Sequence, residues 1–194
     1  MSSLLDICNS ALTLLAASRI NSINEESQGA RLCLQHWDNV RDEVLRSHDW
    51  VCCQDMRTIG ALAEKPAWGW DYAYLIPGDV LRISQVADRS GNIIDNWQRV
   101  GPNILCNEPS PLCLLYVRRD ENTLNYDSLL RAALAECLAS KLAYPLTGST
   151  TMAESMLAKY ERTLTQARGV NARETGNNHK IVQHSSWLIA KYGG

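Results

Sequence analysis

Hydrophobic positions in the first third of the chain recur at steps of three and four, the spacing of one face of an α-helix. Residues 3–17 form the first such stretch. The second follows Asn24, an expected helix cap, and continues to Arg46 with polar residues on its opposite face. This second helix would have about 24 residues and, at about 1.5 Å per residue, a length of ~36 Å. Its apolar stripe consists of Ala30, Cys33, Trp37, Val40 and Val44.

The spacing changes after Pro66. Five short segments rich in β-branched and aromatic residues follow, separated by Pro, Gly and Ser turn signals. We interpret these segments as a small antiparallel meander, whereas residues 51–65 predict only a short helix or an irregular segment. The predicted strands are residues 72–75, 80–87, 93–100, 103–106 and 112–117.

Helical spacing returns at Asp127, which can cap an alanine-rich helix that we expect Pro145 to end. Thr151 and Glu154 have the spacing of a capping box and predict the start of a fourth helix. A polar, glycine-containing stretch then precedes the apolar segment 181–192, which is too short to fold alone. An apolar tail after a polar hinge is typical of a segment that docks on another surface.

Together these elements predict a mainly α protein. We expect an antiparallel helical bundle of about four long helices, with an inserted small antiparallel β-sheet region and an extended C-terminal tail. The expected organisation is a first half of the bundle at 1–66, the sheet region at 67–120, the second half of the bundle at 121–176 and the docking tail at 177–194.

Composition narrows the classes of function. The chain has 194 residues, 45% of them hydrophobic, which is enough for a sizeable core. A net charge of −2 argues against a protein that grips nucleic acid along an extended basic face. The N-terminus has no basic region before its apolar residues, and no stretch has the roughly 18 apolar residues of a membrane span. We therefore expect a soluble chain.

The seven cysteines form no CxxC pair and no regular spacing, which favours reduced thiols over a disulfide framework. His48 lies four residues before Cys52, with Cys53 adjacent, but a second pair of metal ligands is missing from the sequence. Three other cysteines fall on apolar helix faces, where we expect plain core residues: Cys8, Cys33 and Cys137.

Residues 68–74 place four aromatic side chains at alternate positions. A base-stacking platform would need basic neighbours, and only Lys65 and Arg82 are near in sequence. Core or subunit-interface aromatics are therefore the favoured interpretation. Because the chain also lacks a known nucleophile motif and a phosphate-binding loop, we expect no catalytic activity, no cofactor and no metal.

Two segments have the most distinctive sequences in the chain. They are residues 41–50, Arg-Asp-Glu-Val-Leu-Arg-Ser-His-Asp-Trp, and residues 70–82, Trp-Asp-Tyr-Ala-Tyr-Leu-Ile-Pro-Gly-Asp-Val-Leu-Arg. With softer motifs at residues 11–17, 20–23, 30–33 and 138–147, their order and spacing resemble the head-to-tail adaptor (tail tubular protein A-like) proteins of tailed bacteriophages. The family typically has Pro where this chain has Asp49. That difference removes a rigid helix stop but leaves Trp50 in place.

The resemblance implies a structural protein of the virion neck. Such a protein assembles in the bacterial cytoplasm into a dodecameric ring below the portal protein, extends the DNA channel and provides a platform for the tail tube or nozzle protein. Genomic DNA would pass through the lumen without sequence-specific binding, and no membrane is involved. Related adaptors often hold the portal or a neighbouring subunit with a C-terminal segment, for which the candidates here are Ile181, Val182, Trp187, Leu188, Ile189 and Tyr192.

Two alternatives remain open. One is another ring-forming neck protein, such as a head-completion or tail-terminator protein. The other is a small nucleic-acid-binding protein or metal-dependent enzyme, which would show bound metal or salt-sensitive affinity for DNA.

Overall fold

The computed structural model of the chain describes residues 4–174. Four α-helices lie at its two ends in sequence. Asp127 caps α3 as the sequence predicts, since its Oδ1 accepts a hydrogen bond from the Leu130 amide at 2.8 Å. The helices are α1 (Leu4–Leu14), α2 (Gln28–Arg46), α3 (Ser128–Thr147) and α4 (Thr150–Glu174).

Between α2 and α3 the chain forms two three-stranded antiparallel sheets. In sheet A the strand order is β1-β6-β3, so the last strand lies between the first and the third. In sheet B the order is β2-β5-β4, with β4 and β5 forming a hairpin at Gly101. The strands are β1 (Gln54–Ile59), β2 (Tyr72–Leu75), β3 (Val80–Ala87), β4 (Trp97–Val100), β5 (Asn103–Cys106) and β6 (Leu112–Arg118).

The helices pack around α3, which contacts α1, α2 and α4. Several alanines of α3 lie in this core, Ala133, Ala139 and Ala143 among them. A second core lies between the sheets, where β6 contributes Leu112, Leu114 and Tyr116. Val117, the next residue of β6, belongs to the helical core. Strand β6 therefore links the two cores.

The prediction of a mainly α bundle is wrong. Residues 4–174 are 47% helical and 20% strand, with two antiparallel sheets, and therefore form a mixed helix-and-sheet fold. The sheets have a core of their own and are not a small insertion on a bundle. One strand was also missed, β1, which occupies part of the region expected to be a short helix or irregular. Its outward side chains are polar or exposed, so the hydrophobic pattern does not reveal a strand.

The predicted strands are confirmed at nearly their predicted bounds, although β4 is shorter because residues 93–96 form only an isolated bridge. Their connection is not a simple meander. β6 pairs with β1 and β3, both distant in sequence, and these pairings depend on tertiary packing.

Three predicted helix boundaries are wrong. Ser27, not Asn24, caps α2, and its hydroxyl accepts from the Ala30 amide at 3.1 Å. α2 therefore has 19 residues, about 28 Å at the usual rise. α3 continues past Pro145 and ends at Gly148, whose φ of 69° is the left-handed conformation that glycine adopts without strain.

The third wrong boundary is the start of α4. Ser149, not Thr151, accepts a hydrogen bond from the backbone of the new helix, through the Met152 amide at 3.1 Å. The expected capping box at Thr151 and Glu154 thus lies inside the first turn.

The predicted tail, residues 177–194, lies outside the described residues. The same applies to the six candidate partner-binding side chains: Ile181, Val182, Trp187, Leu188, Ile189 and Tyr192.

We expect Ser149→Ala to lower the free energy of unfolding by about 1 kcal/mol, because the Met152 amide loses its acceptor. Thr151→Ala is the matched control, since Thr151 is exposed and already helical, and should change stability by less than about 0.5 kcal/mol. Denaturant unfolding of both variants measures the difference. A larger effect at Thr151 would favour the boundary predicted from sequence.

Candidate functional site

The two segments that carry the resemblance meet where α2 ends. Asp49 Oδ1 accepts hydrogen bonds from Arg82 Nε at 3.0 Å and from the Ser84 hydroxyl at 2.5 Å. Arg46, at the end of α2, donates from its guanidinium to the Leu81 carbonyl at 3.1 Å. This contact region, which we term the helix–sheet junction, ties the last turn of α2 to strand β3.

Trp50 is the buried centre of the helix–sheet junction. It is fully buried, and its indole Nε1 donates to the Val44 carbonyl at 2.9 Å. The His48 ring packs edge-on against it with centroids 5.0 Å apart. The Val44 carbonyl also accepts from the Ser47 amide at 3.2 Å and from the Ser47 hydroxyl at 2.7 Å, so the indole adds a further donor at the end of α2. The helix end is defined here by side chains rather than by proline.

Helix α4 closes the junction from the other side through Asn171. The Asn171 amide nitrogen donates to the Asp49 carbonyl at 2.8 Å and contacts His48 Nε2 at 3.0 Å, while its Oδ1 accepts from the Val51 amide at 2.9 Å. Arg168, one turn earlier, donates to the Ser47 carbonyl at 3.0 Å. The loop 47–51 is thus held by α4 over its whole length.

Sequence reasoning missed Asn171, although a signal exists. Tyr160, Leu164, Ala167 and Asn171 follow one another at steps of four, three and four, so Asn171 continues the apolar stripe of α4. It is 4% exposed. A polar residue on a buried stripe requires hydrogen-bond partners, and that requirement predicts a polar contact.

Burial lowers the pKa of His48, and the nearby Arg168 and Arg82 guanidiniums lower it further, although Asp49 acts in the opposite direction. A neutral ring suits the contact with Asn171. Nε2 can then accept from the Asn171 amide, with the ring hydrogen on Nδ1. Protonation would place two donors against each other.

The aromatic residues 68–74 separate into two groups. Tyr74 is fully buried, and its hydroxyl donates to the Glu108 carbonyl at 2.7 Å. Burial raises its pKa to about 12. Trp68, by contrast, is 84% exposed, at a groove that lies between residues 62–70 and sheet B. Tyr74 therefore stabilises the core of the sheets, and Trp68 is available to a partner.

The thiols predicted to lie in the core are there: Cys8, Cys33 and Cys137 are fully buried. Burial raises the pKa of Cys137 to about 12, which disfavours the reactive thiolate. Cys52 and Cys53 do not join His48. The Cys52 sulfur lies 3.8 Å from that of Cys53 and 3.6 Å from Asp127 Oδ2.

A polar cluster on sheet A was also missed. The Tyr116 hydroxyl lies 3.2 Å from Asp79 Oδ2 and 3.3 Å from Asp55 Oδ2, and Arg57 pairs with Asp79 at 3.4 Å. Burial and the two carboxylates raise the pKa of Tyr116 to about 12, so it remains a hydrogen-bond donor. The four residues come from β1, β6 and the turn that precedes β3, and nothing in their sequence spacing groups them.

The charged residues that follow β6 make specific contacts. Asp120 is only 5% exposed and accepts from Arg118 at 2.9 Å and from the Asn125 amide nitrogen at 2.7 Å. Arg119 crosses to Asp42 of α2 at 2.8 Å. Asp120 thus holds the segment after β6, and Arg119 links that segment to α2 although its side chain is exposed.

Within residues 4–174, no group of three or more His, Cys, Asp or Glu side chains is arranged to hold a metal ion. No helix in the same range is long and apolar enough to cross a membrane.

Comparison of the chain with protein-family models gives no matching family, and comparison with curated protein sequences gives no matching relative.

We expect Asn171→Ala to lower the free energy of unfolding by about 2–3 kcal/mol, because the Asp49 carbonyl and the Val51 amide lose their partner. Arg173→Ala, an exposed change half a turn away, should stay within about 0.5 kcal/mol. Denaturant unfolding measures both. Equal effects would mean that the Asn171 contacts add little.

The lowered pKa of His48 predicts a pH dependence of stability. The folded state disfavours protonation of His48. The contribution of the neutral ring to folding stability is therefore complete above the His48 pKa of the unfolded chain, about 6.5, and is lost as pH falls below that value. His48→Gln keeps an acceptor for Asn171 but does not titrate, so its Tm should fall less between pH 7 and pH 5 than that of the wild type. His36→Gln, on α2 away from the junction, is the control. Parallel pH profiles for all three proteins would contradict the role of His48.

Proposed function

We propose that this chain is a structural virion protein, a head-to-tail adaptor that forms a ring below the portal of a tailed bacteriophage. In this role it extends the DNA channel and provides the attachment platform for the tail. The proposal rests on the resemblance of residues 41–50 and 70–82 to that family.

The observation that carries the proposal is the convergence of these two segments. They are separated by about twenty residues, yet Asp49 and Arg46 of one bind Arg82 and Leu81 of the other in the helix–sheet junction. Sequence motifs that are individually soft gain weight when their residues form one connected structure, because a chance similarity has no reason to coincide with contacts.

Asp49, the main departure from the family pattern, fits this interpretation. Proline at this position would stop the helix through its ring but could not accept hydrogen bonds from Arg82 and Ser84. Here the carboxylate makes both bonds. The departure therefore exchanges one way of ending α2 for another and leaves the junction intact.

The surface supports assembly. Large apolar side chains are exposed on both the sheets and the helices, including Trp68 and Met56 on the sheet side and Tyr144 and Leu157 on the helices. Exposed apolar groups of this size are typical of surfaces that another protein covers. Further copies of the chain, the portal protein and a tail tube or nozzle protein are the proposed partners.

Electron microscopy of the purified chain, alone and mixed with the portal protein of the same virus, tests the proposal. We expect dodecameric rings seated on the portal, with a central opening for DNA. Trp68→Ala should weaken ring formation, because an exposed Trp at an interface often contributes more than 2 kcal/mol.

The matched control for Trp68→Ala is Tyr74→Phe, which changes a buried aromatic residue of the same segment. It should lower stability modestly and leave assembly unchanged. A chain that stays monomeric with the portal present, or that is missing from mature particles, would refute the proposed function. Rings at another position of the neck would favour a head-completion or tail-terminator protein.

A further inference from the structure

One face of sheet A is covered over only part of its length. Near the helix–sheet junction, Val117 of β6 packs into the helical core. Further along the strand, Cys113 and Leu115 point the same way but remain partly exposed, and Met56 beside them is 78% exposed. The helices thus leave a groove of about 330 Å³ on the far part of this face.

The strand register explains the shape of the groove. Two rows of side chains cross the sheet from β1 through β6 to β3, and side chains in register share a face. Thr58 Oγ1 lies 3.9 Å from Cys113 Sγ, as expected for neighbours on one face. The rows are Met56, Leu115 and Gln85, and Thr58, Cys113 and Ala87.

Strand β1 borders this groove with an open edge. It pairs with β6 on one side and with no other strand among residues 4–174. An open edge offers backbone amides and carbonyls to an extended segment, while an adjoining apolar groove accepts its side chains. Sheet A therefore has the features of a docking surface for a strand.

We propose that residues 181–192 of the same chain dock on this groove and on the edge of β1 in the free subunit. The first argument is reach. Helix α4 ends at Glu174, and Asn171 bonds Val51, which lies just before β1. Glu174 lies only about 5 Å along the helix from Asn171, and the six residues 175–180 can span about 20 Å, enough to bring residue 181 to the first residues of β1.

The second argument is chemical complementarity. Residues 181–192 supply the apolar side chains that the groove lacks, and they contain Lys191 but no acidic residue. The groove is lined mainly by apolar side chains, Met56, Cys113 and Leu115 among them. Because Lys191 stands near the end of the segment, the apolar residues before it can be buried there without burying a charge.

Hydrogen exchange of backbone amides tests this docking. The full chain is compared with a chain ending at Asn178. We expect the amides of β1, residues 54–59, to exchange roughly tenfold faster in the shorter chain, because their outer hydrogen bonds are lost. Strand β4 is the internal control, since it also has one strand neighbour but lies in sheet B. Its exchange should not change, and neither should that of α3.

A full-length chain with Val182→Asp and Trp187→Asp gives the same comparison without shortening the backbone. It should also expose β1 selectively. Unchanged exchange at β1 in both variants overturns the proposal, as does protection that disappears on dilution, which would mean that a second copy supplies the segment. No portal protein takes part in this experiment, so its failure would not bear on ring formation.

Discussion

The structure depends on the end of α2, where the helix stops and the chain continues into a sheet without leaving buried polar groups unpaired. Trp50 fills the space and caps the Val44 carbonyl with its indole nitrogen. Asn171 lies 120 residues after Val51 in sequence, yet it forms hydrogen bonds with the backbone of the loop that follows α2. Because each partner comes from a different part of the chain, α2, α4 and β3 can be placed relative to one another only together.

This arrangement accounts for the two cores. The helices bury their apolar stripes against α3, and the sheets bury theirs against each other. Strand β6 contributes to both, with Tyr116 in the sheet core and Val117 in the helical core. Since neighbouring residues of a strand point to opposite faces, one strand can serve two layers, and its pairing with β1 and β3 sets which residues face each.

The proposed adaptor function requires surfaces of the right shape for assembly and no catalytic chemistry. Burial raises the pKa of Cys137 and of Tyr116, so both stay protonated, and Tyr116 serves as a hydrogen-bond donor in the fold. The polar residues that sequence analysis singled out for chemistry, His48 and Cys52, contact Asn171 and Asp127 instead. What remains available to a partner is shape: an exposed Trp68, a half-covered sheet and an open strand edge.

The sequence by itself determined the local elements. Periodicity placed the four helices, turn residues separated β2 to β6, and Asp127 was recognisable as a cap because these signals act over three or four residues. Only the tertiary structure decided the fold class, since β1 carries too little apolar pattern to be recognised until β6 pairs with it. The same holds for the helix–sheet junction. Its hydrogen bonds join residues far apart in sequence, and their partners are specified by packing rather than by spacing.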